Sequence, residues 1–148
     1  MSDSRVFVKL TGRPGVKAPE RATAGSAGFD LCAAIDAPLT LAPGKLASVP
    51  TGVAVKLPEG SVGLLFGRSG LGVRHGITLS NSVGVIDSDY TGEIIVGLCN
   101  VSDEPYTVMP LDRIAQLVVM SPLPVTLVPA ETLEKTERGE GGFGSTGR

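Results

Sequence analysis

The segment from Asn81 to Ile94 carries the side chains best suited to chemistry. Two carboxylates, Asp87 and Asp89, and the ring of Tyr90 fall within four consecutive positions. A carboxylate can orient and deprotonate a water molecule, and an aromatic ring can pack against a sugar. The alternative is that the aspartates are turn formers whose side chains bond their own backbone. The residue types alone leave both interpretations open.

The elements around these residues are predicted to form a β-hairpin. Apolar Val83, Val85 and Ile86 lead into a polar stretch at positions 87–92, and apolar residues at 94–96 lead out of it. Two apolar runs joined by turn-forming residues are typical of paired strands.

A further carboxylate, Asp30, lies in the segment from Ala27 to Ala34. Alternation predicts a strand with Phe29 and Leu31 on one face and Asp30 and Cys32 on the other. A buried carboxylate is costly unless it is paired, so we expect an Arg, a bound cation or backbone donors beside it. An ordinary aspartate on an exposed face is the alternative.

The segment from Gly67 to Gly76 is predicted to be the one helix. Ser69 is a good N-cap residue and Gly76 is suited to end the helix. The helix start would bring backbone N–H groups, the Ser69 hydroxyl and the Arg68 guanidinium together, as an anion site requires. A capping Ser beside a solvated Arg is the alternative. His75 falls at the helix end, where a cation is favourable without catalysis.

A polar Gln116 interrupts the apolar run from Arg113 to Val119. In strand geometry Ile114, Gln116 and Val118 would share one face. A buried amide needs hydrogen-bond partners, so Gln116 is either satisfied within the core or contacts a ligand.

The C-terminal segment from Arg138 to Arg148 contains five glycines around a single aromatic residue, Phe143. It cannot pack a core of its own, and composition favours a disordered terminus. Its Arg, Phe, Gly, Ser and Thr residues would also suit a lid that closes over a nucleotide.

Composition predicts a single all-β domain. The chain has 148 residues, 42% of them apolar and 4% aromatic, so its core must come from Val, Leu, Ile and Ala. With 20 Gly and 11 Pro, the apolar runs are short, as in a sandwich or barrel. Besides those above, strands are predicted at Val6 to Leu10, Leu39 to Leu41, Val62 to Phe66 and Ile94 to Val101, with a pair of strands in Ala47 to Leu57.

The net charge of −2 gives no general attraction to nucleic acid or to an anionic membrane. No segment approaches the roughly 20 apolar residues that a membrane helix needs, so we expect a soluble, cytoplasmic protein. Cys32 and Cys99 match no metal motif and are predicted to be buried free thiols.

Taken together, the motifs resemble the homotrimeric dUTPase family. Its five motifs occur in order, as AGFDL from Ala27, GRSGL from Gly67, GVIDSDYTG from Gly84, RIAQL from Arg113 and RGEGGFGSTG from Arg138. The resemblance covers Ala27 to Gly147. One departure is Gly67, which stands where many members have Pro.

The resemblance implies a distorted β-barrel of jelly-roll type with one short helix. Three such chains would pack about a threefold axis, with active sites where subunits meet. Residues 1–136 would form the barrel domain, and 137–148 a flexible Gly-rich arm closing over the active site. The implied reaction is hydrolysis of dUTP to dUMP and pyrophosphate with Mg²⁺, limiting uracil incorporation into DNA and supplying dUMP for dTMP synthesis.

The resemblance also implies roles for individual residues. Asp87 would orient and deprotonate the water that attacks the α-phosphorus, and Tyr90 would pack beneath the deoxyribose. Asn81 would read uracil together with the backbone of the hairpin, at Gly84, Val85 and Ile86. Arg68, Ser69, Gly70 and Gln116 would meet the phosphates.

The same resemblance assigns the arm and the metal. Phe143 would stack on the base while Arg138, Gly144, Ser145 and Thr146 close on the phosphates. Mg²⁺ would be held mainly by the triphosphate and waters, with Asp30 acting through water near the metal or holding an Arg.

Two rival functions belong to different classes. The related dCTP deaminases share the implied fold, but they would release ammonia and prefer dCTP. A nonenzymatic nucleotide-sensing module is the other possibility.

Overall fold

The computed structural model describes residues 5–142, which form ten strands and one short helix. The strands are β1 (Phe7–Leu10), β2 (Phe29–Cys32), β3 (Leu39–Leu41), β4 (Leu46–Lys56), β5 (Val62–Gly67), β6 (Ile77–Leu79), β7 (Gly84–Asp87), β8 (Glu93–Asn100), β9 (Tyr106–Val108) and β10 (Arg113–Met120). The helix α1 (Ser69–His75) lies between β5 and β6. Between residues 5 and 142, no helix has the length and apolarity that crossing a membrane would require.

Two four-stranded sheets enclose the core, with strand orders β1-β4-β8-β6 and β2-β10-β5-β7, and β3 pairs with β9 beside them. The buried cluster consists of Leu, Val, Ile and Ala side chains from both large sheets, among them Val49, Val96, Leu31 and Leu117. The prediction of an all-β fold with an aliphatic core is confirmed, and the open sheets fit a distorted jelly roll.

The predicted hairpin is wrong. Strand β7 pairs with β5, whereas β8 pairs with β4 and β6 in the other sheet. The chain between them does turn sharply, since Tyr90 N–H donates to the Asp87 carbonyl at 3.1 Å. β7 and β8 therefore pair with other strands and not with each other. The hydrophobic pattern of the segment itself does not reveal which strands will pair.

The pair of strands predicted in Ala47 to Leu57 is a single strand of 11 residues, β4. Its pairing with β8 is irregular between Pro50 and Ala54. The buried Thr51 hydroxyl donates to the Ile94 carbonyl at 2.7 Å within this irregularity. The Pro-Thr-Gly sequence therefore marks a bulge and not a chain reversal.

Strand β10 carries a second bulge, between Arg113 and Ala115. Ile114 and Ala115 are both buried although they are consecutive, while Gln116 is half-buried. The prediction that Ile114 and Gln116 share a face is therefore wrong, because the extra residue in the bulge reverses the alternation.

The helix begins one residue earlier than its predicted cap implies. Arg68 occupies the N-cap position without a side-chain bond, and Ser69 is the first helical residue. The backbone of Arg68 provides the first helical acceptor, since Leu71 and Gly72 both donate to its carbonyl at 3.0 Å. The predicted end is confirmed, because Gly76 caps the helix in a left-handed conformation with φ of 63°.

Candidate functional site

Asp30 lies between two arginines. Arg68 donates from Nε to Asp30 Oδ1 at 3.0 Å, and Arg113 donates from Nη1 to Oδ2 at 3.1 Å. The Asp30 side chain is 18% exposed, against 27% for Arg68 and 53% for Arg113. An Arg was one of the partners expected beside this carboxylate, and the structure places two of them there. Two guanidinium groups face one carboxylate, so the cluster keeps a net positive charge.

Gln116 joins this cluster from the central strand of its sheet. On β10 it lies opposite Asp30 on one side and opposite Phe66 on the other. Its Nε2 donates to the Gly67 carbonyl at 3.1 Å, so the amide is partly satisfied by the backbone. This contact uses only the backbone of Gly67 and therefore does not depend on a side chain at that position.

Gly28 makes room for the Gln116 side chain. A Cβ atom at position 28 would lie 2.7 Å from Gln116 Oε1 and 3.1 Å from its Cβ. Sequence reasoning missed Gly28 as a site residue, and it missed Arg113 as a partner of Asp30. Both belong to motif segments, but their contacts depend on the pairing of β2 with β10.

Ser69 and Gly70 lie at the exposed start of α1, next to Arg68. A side chain at position 70 would meet open space, so this face is accessible. A cavity of ≈ 200 Å³ lies beside it. Its walls are formed by Arg68, Leu71, Tyr106, Val108, Asp112, Arg113 and Ile114.

Asp87 ends β7 with an exposed side chain, and its strand register places it opposite Val62. Lys56 donates from Nζ to the Ser88 carbonyl at 2.9 Å and so ties this turn to β4. An open cavity of ≈ 720 Å³ adjoins the turn. It is lined by Lys56, Glu59, Ser61, Val62, Asp87, Ser88, Asp89 and Pro122.

The Tyr90 ring lies across the following residues. Its hydroxyl donates to the Glu93 carbonyl at 2.9 Å. A Cβ atom at Gly92 would come within 2.7 Å of the ring carbon Cζ, so only a glycine leaves space for this orientation. The ring remains exposed on its other side.

The residues predicted to read a base lie along and before β7. Asn81 is exposed, and its carbonyl accepts from Val83 N–H at 2.7 Å. Gly84 is buried against Leu65, while Val85 is exposed. Ile86 packs against the core. Because β7 is the edge of its sheet, its outer backbone groups are not used in that sheet.

Within one protomer, Asp87 lies away from the Asp30 cluster. Asp87 pairs with Val62 at one end of β5, and Gln116 pairs with Phe66 towards the other. Four residues of strand separate these positions by about 13 Å. The two halves of the predicted site therefore lie apart within a single chain.

The described part of the arm makes local contacts. Arg138 donates from Nε to the Gly141 carbonyl at 2.8 Å, and Gly139 N–H donates to Thr136 Oγ1 at 3.0 Å. Arg138 is therefore not brought to the Asp30 cluster. The predicted contacts of Phe143, Gly144, Ser145 and Thr146 lie outside the described residues.

Comparison with known proteins decides the family. A profile of the dUTPase family matches residues 15–147. The chain belongs to the dUTPase family. It is 52% identical over 131 residues to a deoxyuridine 5'-triphosphate nucleotidohydrolase of Thiobacillus denitrificans. The match covers 88% of this chain and 90% of that protein. A protein of the same name from Ralstonia nicotianae is 46% identical, covering 94% of this chain and 95% of its own length.

Solved dUTPase structures share the fold. The dUTPase of Staphylococcus bacteriophage 80alpha, solved with dUpNHpp, superposes with a TM-score of 0.88 at 30% identity, covering 99% of this chain and all of that one. A mutant dUTPase of Staphylococcus aureus phage phi11, described with a structural Mg(II) ion, gives 0.78 at 26% identity and covers 88% and 99%.

Both cysteines of this dUTPase-family chain are free, as predicted, but each is only half-buried. Burial raises the pKa of the Cys32 thiol above its ordinary value, and the charge of Asp30 raises it further. Burial, followed by the charge of Asp112, raises the pKa of Tyr106 as well. Within residues 5–142, no three His, Cys, Asp or Glu side chains cluster as they would to hold a metal ion.

Proposed function

We propose that the protein hydrolyses dUTP to dUMP and pyrophosphate, with water attacking the α-phosphorus. The observation that carries this proposal is the meeting of Asp30, Arg68 and Gln116, which come from three separate dUTPase motifs. A cluster with net positive charge, open to solvent beside a helix start, suits a triphosphate. Family membership supplies the chemistry to which this arrangement belongs.

Asp87 is the proposed general base. Its carboxylate is exposed at the end of β7, where water can reach it, and the turn behind it is held by Lys56. A positioned carboxylate that accepts a proton from the attacking water is ordinary general-base catalysis. The neighbouring Tyr90 ring would pack beneath the deoxyribose and leave no room for a 2′-hydroxyl.

The base would be read at the edge strand β7. The free edge of β7, at Gly84, Val85 and Ile86, offers backbone N–H and C=O groups in a fixed order, and Asn81 adds a side-chain amide. Uracil can match such donors and acceptors, whereas cytosine would leave its amino group mispaired. One mispaired buried polar group costs about 1–3 kcal/mol.

The phosphates would lie against Arg68, Ser69, Gly70 and the second N–H of the Gln116 Nε2 amide, whose first N–H bonds the Gly67 carbonyl. The arm, residues 137–148, would then close over the nucleotide as a segment separate from the barrel of residues 1–136. In that closed state Phe143 would stack on the base, and Arg138, Gly144, Ser145 and Thr146 would meet the phosphates.

The donor set fits a Mg²⁺ ion that arrives with the nucleotide. Each Asp30 oxygen accepts one arginine bond, which leaves lone pairs that can accept from the waters of a hydrated ion. Mg²⁺ would be held mainly by triphosphate oxygens and would neutralise their charge. The chain's own part is to orient the phosphates through Arg68 and Gln116.

We further propose a homotrimer with active sites at the subunit interfaces. The separation of about 13 Å along β5 between the positions of Asp87 and Gln116 supports a site completed by residues of a second subunit. After β10 the chain also carries apolar side chains that are 75 to 91% exposed in the isolated protomer, and a second copy would cover them. They are Leu123, Val125, Leu127, Val128 and Leu133.

The substrate would be a free nucleotide in the cytoplasm, not nucleic acid or a membrane surface. A net charge of −2 gives no general attraction to polyanions, whereas the two arginines of the Asp30 cluster offer a local site for phosphate. Removing dUTP would limit uracil incorporation into DNA and supply dUMP for dTMP synthesis.

The test is an assay of pyrophosphate and ammonia release from dUTP, dCTP, dTTP and UTP with Mg²⁺. We expect pyrophosphate from dUTP far in excess of the other three nucleotides, and no ammonia. Ammonia from dCTP would identify a deaminase of the same fold instead. Binding of dUTP without turnover would identify a nucleotide-sensing module.

A further inference from the structure

The bulge in β10 gives Arg113 its place in the site. Gln116 pairs with Asp30 and Ala115 with Leu31, but the extra residue shifts the register so that Arg113 pairs with Cys32. Residues directly opposite each other in an antiparallel pair share a face. Arg113 therefore lies on the same face as Asp30, in the place that Ile114 would take in a regular strand.

The two arginines divide the Asp30 carboxylate between them. Arg68 uses Nε on Oδ1 and Arg113 uses Nη1 on Oδ2. A guanidinium has five N–H donors, and the bond to Asp30 occupies one of those of Arg68. The terminal nitrogens of Arg68 thus remain for an anion.

A carboxylate and a guanidinium that meet without competition prefer two parallel hydrogen bonds. Such a fork would need both Asp30 oxygens, and one of its two nitrogens would be a terminal nitrogen of Arg68. Because Arg113 already donates to Oδ2, it competes with Arg68 for that oxygen and disfavours the fork. Arg68 makes a single bond with Asp30, through the nitrogen nearest its own stem.

We propose that Arg113 is a positioning residue for phosphate binding. By holding one oxygen of Asp30, it keeps the terminal nitrogens of Arg68 directed at the nucleotide and not at Asp30. This inference rests on the proposed function, since it takes the Arg68 guanidinium as a phosphate contact. Arg113 itself is assigned no contact with the substrate.

The test compares binding of the dUTP analogue dUpNHpp to the full-length protein with Mg²⁺ and to matched variants. Arg113→Met should weaken binding about tenfold, the effect of losing a hydrogen bond to a charged group. Arg113→Lys keeps a charged donor for Oδ2 and should return affinity to within about threefold of wild type. Arg74→Met, the same change on the exposed end of α1, should leave affinity unchanged.

A double-mutant cycle separates positioning from direct contact. If Arg113 acts through Arg68, then Arg113→Met should change affinity by less than about twofold in an Arg68→Met background. Equal losses in both backgrounds would show that Arg113 meets the phosphates itself and would overturn the proposal. Wild-type affinity in Arg113→Met would overturn it as well.

Two controls keep the outcomes distinct. Thermal unfolding of each variant checks that the fold is intact, and Arg113→Gln repeats the measurement should Arg113→Met not fold. Turnover of dUTP by the wild-type protein is measured in parallel. Its absence would refute the proposed function, whereas normal turnover with an unaffected Arg113→Met would refute only the positioning role.

Discussion

Gly28 lies so close to Gln116 that a Cβ atom at position 28 would come within 2.7 Å of Gln116 Oε1. We therefore expect Gly28→Ala to displace the Gln116 amide and lower kcat/KM for dUTP by about tenfold or more, since small misplacements at a site are costly. Steady-state kinetics would measure the loss. Gly25→Ala is the matched control, because a Cβ there meets nothing within 4 Å. Equal kinetics for the two variants would show that Gln116 has no role that depends on its position.

Removing the Tyr90 ring should relax selection against ribose. The ring is held by its hydroxyl bond to the Glu93 carbonyl and by the absence of a side chain at Gly92. In Tyr90→Ala we expect the preference for dUTP over UTP to fall by roughly tenfold or more, because the steric penalty is lost. Tyr90→Phe keeps the ring and should keep most of the preference. If Tyr90→Ala discriminates as well as wild type, sugar selection lies elsewhere.

The raised pKa of Cys32 makes its thiol slow to react. Its pKa lies above the ordinary 9.0, so the reactive thiolate becomes abundant only above that pH. In a Cys99→Ala background, alkylation by iodoacetamide at pH 8 should be slower in the folded protein than in the same protein unfolded by urea. Mass spectrometry would give both rates. Faster labelling of the folded protein would mean that the site activates the thiol.

Deleting residues 138–148 should separate folding from activity. The buried core lies between Leu31 and Leu117, and the described arm contacts, Arg138 with Gly141 and Thr136 with Gly139, are local. We expect an unchanged Tm and a kcat/KM for dUTP lower by about tenfold or more, as for the loss of a lid. Arg138→Met, which keeps the arm at full length, tests how much of that loss is due to one charge. Unaltered kinetics after truncation would make the arm a passive terminus.

Local signals predicted many elements of this fold. Strands β3 and β5 follow from short apolar runs, and the end of α1 follows from Gly76, because each depends on neighbouring residues alone. The partner of β7 could not be predicted in this way. Its pairing with β5 and not with β8 is set by packing between distant segments.

In the candidate site, too, some residues could be predicted from the sequence and some contacts could not. Motif order singled out Asp30, Arg68 and Gln116, and the structure brings these three together. Arg113 and Gly28 were present in the same motifs, but their contacts arise from the β10 bulge and the β2 register. A bulge inserts a residue without a distinctive composition, so sequence alone did not reveal it.

The central claim is that the Asp87 carboxylate takes the proton from the attacking water, and pyrophosphate release from dUTP by Asp87→Asn tests it most directly. Losing a general base should lower kcat by about 10²- to 10⁴-fold, while affinity for dUpNHpp stays within about threefold of wild type. Asp89→Asn, the same change two residues further along the turn, should turn over nearly normally. Near-normal release by Asp87→Asn, or a loss confined to Asp89→Asn, would contradict the assignment.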